Sequence, residues 1–206
     1  MAEITAQMVK DLREMTGAGP LDCKKALEQF GGDTNKAADF LREKGLAKAA
    51  KKLGAGRAMN EGLIETYLHF NKRLGVMVEV NCETDFVAAT EAFKNFCREL
   101  AMHIASLSPE YVRREDVPEA IVAKEREIQT NRAVEEGKPA AIAEKVAEGR
   151  MAKFFEEIVL MEQRYFRDDS KTIQQLMQET VAEVGESIQI ARFVRYALGQ
   201  GDADSE

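Results

Sequence analysis

The chain has no tryptophan, three cysteines, four prolines and two histidines in 206 residues. Cys23, Cys82 and Cys97 are odd in number and lack CxxC spacing, so neither a disulfide scaffold nor a zinc site is indicated. They read as small buried hydrophobes in a reducing cytoplasm. No apolar run approaches the roughly 20 residues of a membrane helix. The opening MAEITAQMVK is too polar for a secretory signal and lacks the arginine-rich, acid-poor look of a transit peptide. Basic charge is scarce: 29 Lys and Arg against 36 Asp and Glu give a net charge of -7, which argues against nucleic-acid binding. The local exception is EKGLAKAAKKLGAGR, with Lys44, Lys48, Lys51, Lys52 and Arg57. It reads as a solvated helix with cations near its C-terminus, where the helix dipole favours them.

Catalytic signatures are also missing. GAGPLD from Gly17 and GAGRAM from Gly54 each give GxG without a third glycine, and neither follows a strand pattern. There is no P-loop, no HExxH, no GxSxG and no placed acid pair. His103 falls on an apolar helical stripe and reads as a satisfied core or boundary residue. A thiol mechanism at Cys82 beside Glu83 is the residual enzyme reading. The expectation is a protein that is not an enzyme and uses no cofactor, no metal and no directly bound nucleotide.

What is present reads as an α+β protein. Apolar residues make up 45% and charged residues 32%, ordinary for a globular chain of this length. Residues 1–54 show short helical stretches parted by glycines. Thr5 is an N-cap with Ile4 and Val9 as a hydrophobic staple; Ile4, Met8, Leu12 and Met15 share a face, and Gly17 stops the helix. Pro20 opens a second helix carrying Cys23, Leu27 and Phe30. Asp33 caps a third, with Ala37, Phe40 and Leu41, expected to end at Gly45. A separate basic helix is expected to run on to Leu53, before the linker GAGRAMNEG.

The hydrophobic period then changes from 3.6 to 2. LIETYLHF and LGVMVEV flank NKR, a hairpin signal, with Val76, Val78, Val80 and Cys82 on one face and Glu79 and Asn81 on the other. A long helix follows, with a stripe of Phe93, Phe96, Cys97, Leu100, Ile104 and Leu107. TIQQLMQETVAEVG is a later helix, and ESIQIARFVRYALG a third strand with Ile188, Ile190, Val194 and Tyr196 on one face. Between them, at about 117–155, Gly137 and Pro139 mark a tight turn between two helices. Their sparse apolar positions, Ile121, Ile128, Val134, Ile142, Val146 and Phe154, suggest a coiled-coil hairpin standing off a core of residues 55–199. The tail 200–206 is acidic and expected to be disordered.

Within VNCETDFVAA, Val80 to Ala89, Phe86 sits at a strand-to-helix junction. Read locally, Thr84 caps the helix, Asp85 favours its N-terminal dipole and Phe86 packs against its neighbours. The motif nevertheless resembles that of a known family. LREMTGAGPLDCKKAL, AAKKL, VNCETDFVA, AMHIASLSPEYV, EEGKPAAIAEKVAEGRMAKFFEEIVL and SKTIQQLM follow one another as they do in elongation factor Ts proteins, guanine nucleotide exchange factors for the GTPase elongation factor Tu. The resemblance covers nearly the whole chain.

It implies a ubiquitin-associated-like three-helix N-terminal domain, a three-stranded antiparallel sheet with packed helices, and a projecting helical hairpin. It implies that Thr84, Asp85, Phe86 and Val87 form a wedge, with Asp85 and Phe86 docking near the partner's phosphate and magnesium site. Lys10, Arg13 and Leu21 would make a second contact; the family often has two methionines where Pro20 and Leu21 stand. His69 and Asn71, at the strand hairpin tip, would face the partner's third domain. One half-core cannot offer both surfaces in the geometry of longer members, so a homodimer through the sheet is expected. No nucleic acid or membrane is expected as a partner. The competing reading is an adaptor that binds through its helical module without releasing nucleotide.

Overall fold

A computed structural model of the chain describes residues 4–53 and 59–200. The expectations for the linker at 54–58 with Arg57, for the side chains of Lys48, Lys51 and Lys52, and for the tail beyond Gln200 lie outside the described residues. Helices α1 (Ala6–Thr16), α2 (Pro20–Gln29) and α3 (Thr34–Leu53) come first. Thr5 caps α1 by accepting from the Met8 N–H, and Gly17 ends it with a left-handed φ of 65°. Asp33 caps α3 through the Lys36 N–H at 3.1 Å. Leu12, Cys23, Ala26, Leu27, Ala37 and Leu41 form their core.

Two expectations fail in this part. Met15 is 61% exposed, and Val9 packs with Ile4, Met8 and Leu12 in its stead. The break at Gly45 does not occur, because α3 runs unbroken to Leu53. A Cβ at Gly45 would lie 3.6 Å from the Ala182 Cβ, an ordinary contact, so the glycine is tolerated where α3 crosses a later helix and ends nothing.

Strands β1 (Glu61–Leu68) and β2 (Leu74–Cys82) form an antiparallel hairpin, and β5 (Ile188–Ala197) pairs with the other side of β2. Gly62 is required in β1: its φ is 145°, and a Cβ there would lie 2.2 Å from the Val80 carbonyl oxygen. A single turn, α4 (Asp85–Ala88), follows β2, then α5 (Glu91–Leu107). After α6 (Glu119–Glu135) and α7 (Ala140–Ile158) come a short hairpin of β3 (Arg164–Tyr165) and β4 (Asp168–Thr172), and α8 (Ile173–Val184).

The main core lies between the sheet and helices α5 and α8. Val76, Val78, Val80, Ile188 and Ile190 meet Phe93, Phe96, Cys97, Leu100 and Ile104, with Ile173, Met177 and Val181 alongside. Leu107, expected on this stripe, is 42% exposed, since it sits in the last turn of α5. Burial pushes the Cys97 thiol up to about 12 and raises that of Cys82, which keeps both as neutral thiols.

The third strand departs from its expected alternation. Val80 pairs with Ile190 but Glu79 pairs with Arg192, so Ala191 is a bulge without a partner. One extra residue exchanges the two faces of everything beyond it. Phe193 turns inward and packs on the core, while Val194 and Tyr196, expected beside Ile188 and Ile190, face outward at 39% and 74% exposure.

The α6–α7 pair also differs in its seam. Ala133, Ala143, Ala147, Met151 and Phe155 are buried, whereas Ile121, Ile128, Val134 and Ile142 are 38–49% exposed. Alanines let the two helix backbones approach closely, and a pattern drawn from large side chains alone overlooks them. At the base of the pair the Arg114 guanidinium lies 4.2 Å over the Phe155 ring and is paired with Glu162.

His103 is fully buried. Its Nδ1 accepts from the Phe166 N–H at 3.3 Å, which leaves the ring proton on Nε2 to donate to Gln163 Oε1 at 3.0 Å. Burial holds the imidazole down to about 4, from 6.5. Below pH 6.5 the unfolded chain takes up a proton that the folded chain refuses, so stability falls as pH drops from 6.5 toward 4. At pH 5 this group alone costs about 2 kcal/mol relative to pH 7. In an NMR titration of the folded protein the His103 ring resonance is expected to stay put from pH 7 to 5; a midpoint near 6.5 contradicts a buried neutral imidazole.

Candidate functional site

The β2–β5 ladder ends at the pair Cys82 and Ile188, and there the strands diverge. Past Cys82 the chain turns into α4, which is four residues long and cannot hold itself as an isolated helix. It is fixed from two sides. Val87 is buried at 7% exposure in the main core. Thr84, the N-cap, is held at each of its polar atoms. Its Oγ1 accepts from the Val87 N–H at 3.4 Å and donates to Glu186 Oε1 at 2.9 Å. Its N–H donates to Glu186 Oε2 at 3.1 Å, and its carbonyl accepts from the Cys82 thiol at 3.1 Å. In the opposite sense, Glu83 Oε1 accepts from the Ser187 N–H at 2.9 Å.

On this short platform Phe86 is 82% exposed and belongs to no apolar cluster of the described residues. Local packing of its ring is thereby ruled out. Asp85 lies beside it in the first turn, also exposed. Val87 is the correction within this motif. Read as part of the exposed wedge, it instead points inward and anchors the turn, since one helical turn with a buried residue cannot present all its side chains outward.

Lys10, Arg13 and Leu21 are all exposed on the N-terminal helices, Leu21 at 72%, and Lys10 lies 3.9 Å from Glu14. The N-terminal helices rest on the core where α3 packs on α8, and Glu179 accepts from Arg42 at 2.9 Å and Lys171 at 2.8 Å. A groove of about 840 Å³ runs between them, lined among others by Met15, Gly17, Arg42, Glu183 and Gly185. Gly185 in this lining directly precedes Glu186, which bonds Thr84.

The tip of the β1–β2 hairpin is at the far end of the sheet. The nine residues of β2 separate the two ends by eight steps, roughly 27 Å at about 3.4 Å per step. His69 Nδ1 lies 2.8 Å from the Tyr67 hydroxyl, and its ring lies 4.5 Å from that of Phe70, tilted by 50°. Asn71 is spent on the turn itself, its Oδ1 accepting from the Arg73 N–H at 3.0 Å. Phe70, 87% exposed, is the prominent side chain here and was missed beside His69; a large aromatic ring inside a hairpin turn was its signal. Glu186 was missed for another reason: it acts across 102 residues, where no periodicity reaches.

Among the described residues no three His, Cys, Asp or Glu side chains cluster as a metal site, and no helix is long and apolar enough to cross a membrane. The family model for elongation factor TS matches residues 4–200. The chain belongs to the elongation factor Ts family. It is 56% identical over 203 residues to elongation factor Ts of Carboxydothermus hydrogenoformans, covering 98% of this chain and 93% of that one. Against elongation factor Ts of Thermoanaerobacter sp. the identity is 57% over 198 residues, 96% of each chain. Against that of Geobacter metallireducens it is 54% over 203 residues, 98% of this chain and 93% of the other. As an elongation factor Ts, the chain is a translation factor whose partner is elongation factor Tu and whose activity is nucleotide exchange on it.

Proposed function

We propose that this chain releases GDP by docking Asp85 and Phe86 against elongation factor Tu near its phosphate and magnesium site. The observation that carries the reading is a large apolar ring, 82% exposed, on a turn whose other residues are tied to the core. A ring left in water on a fixed platform has its pocket on another molecule. No bond is made or broken in such a step. The factor binds the nucleotide-free partner better than the loaded one, and by linkage each ligand weakens the other by the same factor. GTP then displaces the factor. Leu21 with Lys10 and Arg13 supplies a second contact across the groove, the N-terminal helices acting as a ubiquitin-associated-like module. The α6–α7 hairpin projects from the core. The protein works in the cytoplasm.

The outer face of the sheet supports a homodimer. Ile64, Leu68, Met77, Val194 and Tyr196 are exposed there, at 60%, 63%, 48%, 39% and 74%. Thr66, Met77 and Val194 form one row across the three strands, and Leu68, Gly75 and Tyr196 the next. A patch of this kind at the centre of a sheet is self-complementary about a two-fold axis. In such a dimer one subunit offers Phe86 and the other His69 and Phe70 to the same partner, the two sites of each subunit lying beyond opposite ends of β2.

Burying one Phe ring contributes about 1.5–3 kcal/mol, so Phe86→Ala is expected to slow release of fluorescent GDP from elongation factor Tu by about one to two orders of magnitude, with its Tm unchanged. A wild-type protein that gives no acceleration overturns the exchange reading, and an adaptor role would then remain. Met77→Lys places a charge in the middle of the sheet face and is expected to yield a monomer by analytical ultracentrifugation. A wild-type protein that is monomeric at micromolar concentration contradicts the dimer.

A further inference from the structure

The two carboxylates at the end of the β2–β5 ladder do something the exposed ring depends on. Beyond Cys82 and Ile188 the strands no longer pair, and contacts by side chains take over at the N–H groups of Thr84 and Ser187. Each is satisfied by a carboxylate from the opposite segment. Glu186 takes Thr84 at both N–H and Oγ1, 3.1 and 2.9 Å, and Glu83 takes the fully buried Ser187 N–H at 2.9 Å. Side chains thus extend the ladder by one crossed rung while the backbone turns away. Hydrogen bonds to carboxylates are shorter and stronger than neutral ones, which suits a rung with no neighbour beyond it.

We propose that Glu186 is a positioning residue for the exchange step: with Glu83 as its reciprocal brace, it fixes Thr84 and so the direction in which α4 presents Phe86. This rests on the exchange reading above. Val87 and Ala88 pack the inner side of the turn on the core, and Thr84 fixes its leading end. Glu186 lies on the α8–β5 connection, after Gly185 at φ 78°, and reaches the Phe86 turn through its bonds to Thr84. Without the brace the ring still exists and still fits its pocket, but the turn must be ordered on docking, and affinity is lost to that ordering.

A double-mutant cycle tests this. Release of fluorescent GDP from elongation factor Tu is measured as kcat/KM for the wild type, Glu186→Ala, Phe86→Ala and the double variant, with amide hydrogen exchange of each free protein. Glu186→Ala is expected to lower kcat/KM about tenfold in the wild-type background and to add little once Phe86 is gone, because the two act as one unit. The Thr84 amide is expected to exchange at least tenfold faster in Glu186→Ala, with slow exchange kept in α5. An equal loss in both backgrounds marks a general structural role and overturns the inference, as does an unchanged Thr84 amide. If the brace behaves as stated but the wild type never accelerates GDP release, the exchange reading fails and the positioning role falls with it. Should Glu186→Ala not fold, the isosteric Glu186→Gln keeps one acceptor oxygen and is expected to show the same pattern at about threefold.

Discussion

Strand β2 hydrogen-bonds β1 along one edge and β5 along the other, and that double pairing is the constraint on which the rest of the molecule depends. It brings together chain segments more than 100 residues apart in sequence. One face of β2 carries the main core through Val76, Val78 and Val80; the other carries Met77 in an exposed row between Thr66 and Val194. Its start defines the hairpin tip with His69 and Phe70, and its end defines the platform of Phe86. The hairpin tip and the Phe86 platform are thus spaced by the length of a single strand.

The exposed ring makes physical sense only together with this framework. Water disfavours an apolar side chain on a flexible segment, which collapses onto whatever surface is near. Here the turn is held by a buried valine beneath and by a carboxylate beside it, so the ring is kept outward. Exchange without chemistry needs no more than this from the factor. A rigid projection that fits the nucleotide-free partner better than the loaded one is sufficient to couple the two equilibria.

Local signals in the sequence carried much of this, and non-local ones carried the remainder. The caps at Thr5 and Asp33, the stop at Gly17 and the alternation of Val76, Val78 and Val80 each follow from a few neighbouring residues, and the structure has them as expected. The bulge at Ala191 was not legible, because alternation in ESIQIARFVRYALG is equally consistent with an unbroken strand; the choice is made by pairing with β2. That one residue decides whether Val194 and Tyr196 feed the core or the outer face. The alanine seam of α6 and α7 was hidden because alanine is weakly apolar by any scale and is also common on solvated helix faces. Around Phe86 the residues of TDFV were visible as a motif, but that Val87 faces inward while Phe86 faces outward requires the turn to be seen in place.

On the proposed mechanism the Phe86 ring moves from water into a protein pocket when elongation factor Tu gives up its nucleotide. Because the chain has no tryptophan, Phe86→Trp grown with 5-fluorotryptophan carries a single 19F resonance. In the free protein that resonance is expected to show the full solvent isotope shift between H2O and D2O. Bound to nucleotide-free elongation factor Tu it is expected to move and lose that shift, and to regain it when GDP is added. A complex that forms while the resonance keeps its full isotope shift would contradict the account.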